Sequence, residues 1–300
     1  MRSPTSFSLP NVEVLEVIGH GGMASVWKAR QVSLDRLVAV KILSPDFSSD
    51  PEDIRRFRQE AQSAARLKHP GIVQVYDANF SDGVYYFIME LVEGYTLGNL
   101  VRRKGRVPVE DALIVAESVA VVLDYAWGAA QMIHCDIKPD NIMADADGTV
   151  KVTDLGLCRS LTLRKGGGAD RADEILGTPA YMSPEQACGS DRLDCRSDIY
   201  ALGATLYHLV TGKMLFEGQS EDETLRCHTG DAQAPDVRTL APEASDAFAL
   251  LLEKMLAKHP DHRHRDWKRV LADLSRLRSG HPPWPALIPP KGSSMLRLTQ

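Results

Sequence analysis

The hydrophobic period of this chain changes once along its length, and that change limits the folds open to it. From Val12 to Val92 the apolar residues fall mostly in short β-branched runs. These are Val12-Glu13-Val14-Leu15-Glu16-Val17-Ile18, Val38-Ala39-Val40-Lys41-Ile42, Ile72-Val73-Gln74-Val75 and Val84-Tyr85-Tyr86-Phe87-Ile88-Met89. One helix interrupts them. Ser49-Asp50 ahead of Pro51 reads as a cap and first turn, and Ile54, Phe57, Ala61, Ala64, Ala65 and Leu67 then recur at helical spacing. After Val92 the spacing becomes helical, with candidates at 97–103, 109–130, 196–211, 221–228, 243–257 and 266–278. The pattern predicts an α+β chain, with a small strand-rich lobe carrying one helix ahead of a larger, mainly helical lobe.

Within the helical part lies His134-Cys135-Asp136-Ile137-Lys138-Pro139-Asp140-Asn141, followed by Asp154-Leu155-Gly156. This stretch holds a candidate base in Asp136 and a candidate phosphate-binding cation in Lys138. Asn141 and Asp154 are hard-oxygen candidates for Mg²⁺. Near the start, Ile18-Gly19-His20-Gly21-Gly22-Met23-Ala24-Ser25-Val26 lies between two strand-like runs. A glycine-rich turn there lets backbone N–H groups approach phosphate oxygens, because no Cβ blocks them, although an ordinary hairpin fits the same residues. A strand rather than a helix follows, which excludes a dinucleotide-binding turn. Glu60 lies on the stripe of Phe57, Ala61 and Ala64. A carboxylate among core-facing residues is costly unless paired, and Lys41 is its natural partner.

In this order these motifs closely resemble the eukaryotic-like (Hanks-type) serine/threonine protein kinases, whose catalytic loop reads H-R-D-x-K-x-x-N and whose metal-binding turn reads D-F-G. Lys138, the Gly177-Thr178-Pro179 segment and the bacterial look of Gly21-Gly22-Met23-Ala24 favour a Ser/Thr acceptor and the bacterial Pkn group. The resemblance implies the bilobal kinase fold over residues 12–278, with lobes 12–90 and 95–278 joined by a hinge at 90–94. Residues 1–11 are read as an extension, and 279–300 as a Pro-rich tail or the start of a linker. ATP and Mg²⁺ are the implied cofactors and proteins the implied substrates. Asp136 is the implied base, Lys138 the cation on the moving phosphoryl group, Lys41 the phosphate-holding lysine and Glu60 its partner. The implied nucleotide-binding set is Ile18, Gly19, Gly21, Gly22, Val26, Ala39, Lys41, Met89, Glu90, Val92 and Met143, with Met89 as the gatekeeper. Asn141 and Asp154 are the implied metal ligands. Further along, the resemblance implies that Thr178 bonds the catalytic loop, that Glu185 pairs with Arg263, and that Asp198 anchors the loop backbone.

The sequence departs from the pattern at Cys135, where the family usually has Arg, at Leu155 for Phe, at Ala24 for the last glycine, and at Ser183 in the segment ending Pro184-Glu185. In H-R-D kinases that arginine meets a phosphorylated activation-loop residue. Here Cys135 cannot, although Arg159 lies near in sequence. Leu163 to Gly177 contains neither Ser nor Thr and carries Gly166-Gly167-Gly168, which leaves Ser160, Thr162 and Thr178. Activity independent of activation-loop phosphorylation is therefore expected. With Lys41, Asp136, Asn141 and Asp154 all present, an active enzyme is favoured over a pseudokinase scaffold or a small-molecule phosphotransferase.

A net charge of −5 gives no sign of nucleic-acid affinity. No run approaches a membrane span, and Met1 to Pro10 lack a secretory signal, so a cytoplasmic kinase domain is expected, with room for a tether beyond residue 300. The five cysteines (Cys135, Cys158, Cys188, Cys195, Cys227) form no C-x-x-C pair, which points to a reducing compartment. Trp27, Trp127 and Trp267 read as packing residues, and His259, His262 and His264 as solvated. The oligomeric state is left open.

Overall fold

In a computed structural model, the structure describes residues 9–155 and 178–298. The contacts divide the chain into two compact units. One comprises the chain up to Glu93 joined by Asp154 and Leu155. The other comprises Gly94–Thr153 and the chain from Thr178 onward.

The first unit is an antiparallel sheet of β1 (Val12–His20), β2 (Ala24–Gln31), β3 (Arg36–Leu43), β4 (Val75–Ser81) and β5 (Val84–Met89), in the order β1-β2-β3-β5-β4. Alternation along β3 supplies both faces of this sheet. Val38, Val40 and Ile42 pack with Val12, Ala29, Tyr86 and Ile88 on one side. Ala39 and Leu43 pack on the other with Ala24, Phe87 and Met89, and there they meet Phe57, Ala61 and Ala64 of α1 (Pro51–Ala65). Asp50 caps α1 by accepting from the Glu52 N–H, with Pro51 in the first turn. The run Ile72-Val73-Gln74-Val75 becomes strand only at its last residue. Gln74 N–H donates to the Glu90 carboxylate instead of a neighbouring strand.

The second unit has a small sheet of β6 (Gly94–Thr96), β7 (Ile142–Asp145) and β8 (Val150–Val152), and a set of helices. These are α2 (Leu97–Lys104), α3 (Val109–Ala130), α4 (Pro184–Ala187), α5 (Cys195–Thr211), α6 (Glu221–Thr229), α7 (Val237–Leu240), α8 (Asp246–Met255) and α9 (Trp267–Arg278). α5 is buried over nearly its whole length and packs on α3 and α8. α3 has the length and apolar composition of a membrane span. It is nonetheless a core helix here, packed on α5, α9 and β8, with Ala112, Ala116, Val119, Ala120 and Leu123 buried.

The proline-rich tail carries no helix and is held along its backbone. Lys258 N–H donates to Gly292 O, Ser294 N–H to Leu256 O and Leu296 N–H to Ala234 O, which leaves Met295 fully buried. His264, read from sequence as solvated, is also buried. Its ring lies 2.9 Å from Asp273, which additionally accepts from Lys254 Nζ and from the Trp284 N–H. Burial would push the Asp273 carboxyl up, but these donors outweigh it and hold its pKa at about 2. Its contribution to stability is thus complete above the ordinary value of 3.8 and fades as pH falls through about 2. Asp273→Ala strands a buried lysine and histidine, and urea unfolding at neutral pH should show a loss of about 3–5 kcal/mol. A change within about 0.5 kcal/mol, as at an ordinary surface site, would contradict this anchoring role.

Candidate active site

In the first unit the ladder sets the candidate nucleotide residues in register. Gly19 lies opposite Val26, Val26 opposite Lys41, and Ala39 opposite Met89. The glycine turn closes on itself, since Gly21 N–H donates to Ala24 O at 2.8 Å, so that amide is occupied. Ile18 is exposed, whereas Ala39 and Met89 are buried. Val92 packs against the same core, and Glu90 ties β5 to Gln74. Lys41 Nζ donates to Glu60 Oε1 at 2.5 Å and to Asp154 Oδ1 at 2.8 Å. Burial alone would lower the lysine pKa, but the two carboxylates more than offset it, so Lys41 stays charged well above its ordinary range. Burial raises Glu60, opposed by the Lys41 charge. The helical stripe that made Glu60 conspicuous in sequence therefore delivers its carboxylate to the lysine.

In the second unit, Asp136, Lys138 and Asn141 come together. Lys138 Nζ lies 2.7 Å from Asp136 Oδ2 and donates to Thr178 Oγ1 at 2.6 Å. Asn141 Nδ2 donates to both the backbone oxygen and the carboxylate of Asp136, at 2.8 and 2.9 Å. Its amide oxygen is thus the end that remains for a hard cation, which fits a Mg²⁺ ligand. Met143 sits on β7 opposite Lys151 and Thr96.

The loop is held from below. Asp198, buried in α5, accepts from the backbone N–H groups of His134 and Cys135, each at 2.7 Å. The buried His134 ring accepts from the Asp136 N–H at Nδ1, so Nε2 carries the proton that meets Thr153 O. Glu185 and Arg263 form a two-pronged pair at 2.7 and 2.8 Å, and Ser197 Oγ adds a third donor to the carboxylate. Burial would raise Glu185, but the Arg263 bonds leave its pKa below the ordinary range. Gly98 on α2 lets Asp140 approach closely. A Cβ there would lie 2.2 Å from Asp140 Oδ1, which also accepts from Arg102.

Sequence reasoning missed Gln186, whose amide donates to Cys135 O at 2.8 Å and so grips the loop from α4. The signal was present, because Ser183-Pro184-Glu185-Gln186 is a capping box that both fixes α4 and orients Gln186. Cys135 itself holds a left-handed φ of 64° and Asp154 one of 59°. Such conformations cost on the order of 1–3 kcal/mol each and persist only where neighbours over-determine them. Cys135 is also disulfide-bonded, unlike the free Cys188, Cys195 and Cys227. This departs from the reduced thiols expected from an odd cysteine count. Gly156, Cys158, Arg159, Ser160, Thr162 and the stretch to Gly177 lie outside the described residues.

Residues 12–272 match the family described as "Protein kinase domain". The chain belongs to that family. It is 40% identical over 262 residues to serine/threonine-protein kinase PrkC of Bacillus subtilis, an alignment covering 87% of this chain and 40% of the relative. It is 38% identical over 287 residues to serine/threonine-protein kinase PknB of Mycobacterium tuberculosis, covering 94% and 45% respectively. The chain thus spans less than half the length of these relatives. The crystal structure of the M. tuberculosis PknI kinase domain superposes with a TM-score of 0.70 at 26% identity, covering 92% of this chain and 98% of that one.

The buried pairing of Lys41 with Glu60 predicts non-additive damage. Lys41→Met and Glu60→Gln should each lower the rate of phosphate transfer from ATP. The double variant should lose much less than the product of the two effects, because the second change removes a charge already stranded. Strictly multiplicative losses would show that the two side chains act separately.

Proposed function

We propose that the chain is the catalytic domain of a bacterial signalling kinase that moves the γ-phosphoryl group of ATP onto Ser or Thr hydroxyls of protein substrates. The observation that carries this reading is Lys138 set between Asp136 and Thr178. It places a cation, a carboxylate and the start of the segment after the activation loop around one point. Asp136 orients the incoming hydroxyl and accepts its proton, while Lys138 neutralises charge on the phosphoryl group in transit. No covalent intermediate is needed when the acceptor oxygen is positioned in line. Lys41, fixed by Glu60, would hold the nucleotide phosphates. The family resemblance assigns Ile18, Gly19, Gly21, Gly22, Val26, Ala39, Met89, Glu90, Val92 and Met143 to nucleotide binding. Asn141 and Asp154 would hold Mg²⁺, which when bound screens the phosphate oxygens.

The bacterial relatives, named as serine/threonine-protein kinases, support the Ser/Thr acceptor, and we place the domain in signalling on the ATP-containing side. Their greater length is consistent with a tether or sensor outside this chain. Cys135 offers no cation for a phosphorylated activation loop, so we place activity outside phosphorylation control at Ser160 and Thr162. The pair Ser160→Ala with Thr162→Ala should keep phosphorylation of an added protein within about tenfold of wild type. A larger fall, equivalent to losing about 1.4 kcal/mol of charge-assisted contact, would overturn that part.

The test of the catalytic assignment is Asp136→Ala. It should bind Mg-ATP nearly as well as wild type while transferring phosphate at least ~10²-fold more slowly, the scale of a positioned base. Wild-type transfer by this variant would remove the kinase assignment of the loop, and ATP binding without transfer by the wild-type chain would favour a pseudokinase scaffold.

A further inference from the structure

Arg102-Arg103-Lys104-Gly105-Arg106 puts four cations into five residues of a chain whose net charge is −5. They form the end of α2 and the turn after it, and α2 packs on Pro139–Asn141 of the catalytic loop. Cations in a last helical turn complement the helix dipole, which accounts for Lys104. Arg102 does more, because its side chain crosses to the loop. Its Nη2 donates to Asp140 Oδ1 at 2.8 Å and to Asn99 Oδ1 at 2.7 Å. Nε and Nη1 have no partner among the described residues, and the side chain is 62% exposed, so those donors are open to solvent. Asp140 is the more committed of the two, since its carboxylate lies against the first turn of α2 at Gly98, where a helix favours negative charge. Arg106 pairs with Glu243, whereas Arg103 lies over the Tyr95 ring, and neither it nor Lys104 makes an ion pair among the described residues. This patch borders the acceptor site. Asp140 is four residues past Asp136, and Tyr181 is three past Thr178, which Lys138 holds. Burial pushes the Tyr181 hydroxyl up, Asp140 and Asp136 add to the rise, and Arg102 opposes it. One side chain thus stands within electrostatic reach of both the candidate base and Arg102.

We propose that Arg102 is a specificity-determining residue for the phosphate acceptor, reading an acidic side chain of the substrate protein close in sequence to the Ser or Thr that reacts. About four residues of extended chain span roughly 13 Å, which sets the range over which one arginine at this border acts. A substrate carboxylate takes the open donors of Arg102 in the paired geometry that guanidinium and carboxylate share. Arg103 and Lys104 supply the surrounding positive field that gathers acidic segments. Asp140 is the internal stand-in, and an arriving carboxylate competes with it for the same guanidinium. A basic segment meets like charge at this place and is disfavoured. The sign of the patch is opposite to that of the chain as a whole, so bulk charge and local charge select different partners. The proposal rests on the kinase reading above and adds to it which serines and threonines are taken.

The experiment uses the purified chain with Mg-ATP and synthetic peptides bearing a single Ser, each with Glu, Ala or Arg at one position within about four residues of it. The readout is the ratio of kcat/KM for Glu against Arg at each position. At one or more positions the ratio should reach at least about fivefold, the scale of one exposed charge pair. Salt at about 0.5 M should compress it toward one. Arg102→Glu should invert the ratio at the same positions, and Asp140→Asn, which removes the competing carboxylate, should raise it. Arg30→Gln, a remote exposed site on β2, should leave it as in wild type. An arginine that only braces the loop would instead lower the rates on Glu, Ala and Arg peptides by one common factor in Arg102→Glu and in Asp140→Asn. That common factor, a wild-type ratio below about fivefold at every position, or a wild-type ratio in Arg102→Glu would each overturn the proposal and leave the kinase reading standing. So would Arg102→Glu losing adhesion to phosphatidylserine vesicles with the peptide ratio unmoved, which assigns the patch to a lipid surface. No transfer to any peptide or added protein would overturn the kinase reading, and this proposal with it.

Discussion

Everything in the catalytic loop hangs from one buried carboxylate. Asp198 has both oxygens occupied by backbone amides, one from His134 and one from Cys135. Burial raises its pKa, and the two amide donors oppose that rise. Hydrogen bonds to a charged group contribute about 1.5–3 kcal/mol each, enough to hold Cys135 in a left-handed conformation that L-residues avoid. That turn sets the direction of the chain into Asp136, and the His134 ring carries the restraint across to Thr153, the residue before Asp154. Helix α5 can supply such a group because its other faces are packed against α3 and α8.

The second restraint is the ion pair of Glu185 with Arg263. The arginine is fully buried yet has each nitrogen occupied: two prongs go to Glu185, and further bonds go to the backbone oxygens of Ala257, Arg196 and Lys258. A charge in that environment is tolerable only when so completely satisfied. The pair ties the start of α4 to the turn before α9. Because α4 also presents Gln186 to Cys135 O, the restraint ends at the residue next to Asp136.

Much of this was legible in the sequence, for identifiable reasons. The helices at 109–130 and 196–211 follow from sustained apolar spacing. Glu60 stood out as a carboxylate on an apolar stripe, and its pairing with Lys41 follows from the cost of leaving it alone. The role of Asp198, by contrast, came through family resemblance, since a lone aspartate in an apolar helix does not state what it binds. Short strands β6, β7 and β8 escaped because three or four residues carry no readable period. His264 was read as solvated because the sequence does not show that Asp273, nine residues on in α9, would meet it in the interior.

The central claim is that these assembled groups transfer phosphate to protein hydroxyls. The most direct measurement is mass spectrometry of the chain and an added protein after incubation with ATP and Mg²⁺, with sites assigned by fragmentation. The account predicts phosphate on serine or threonine, dependent on both ATP and Mg²⁺. Phosphate confined to tyrosine or to a small-molecule acceptor, or no covalent phosphate at all despite bound nucleotide, would contradict it.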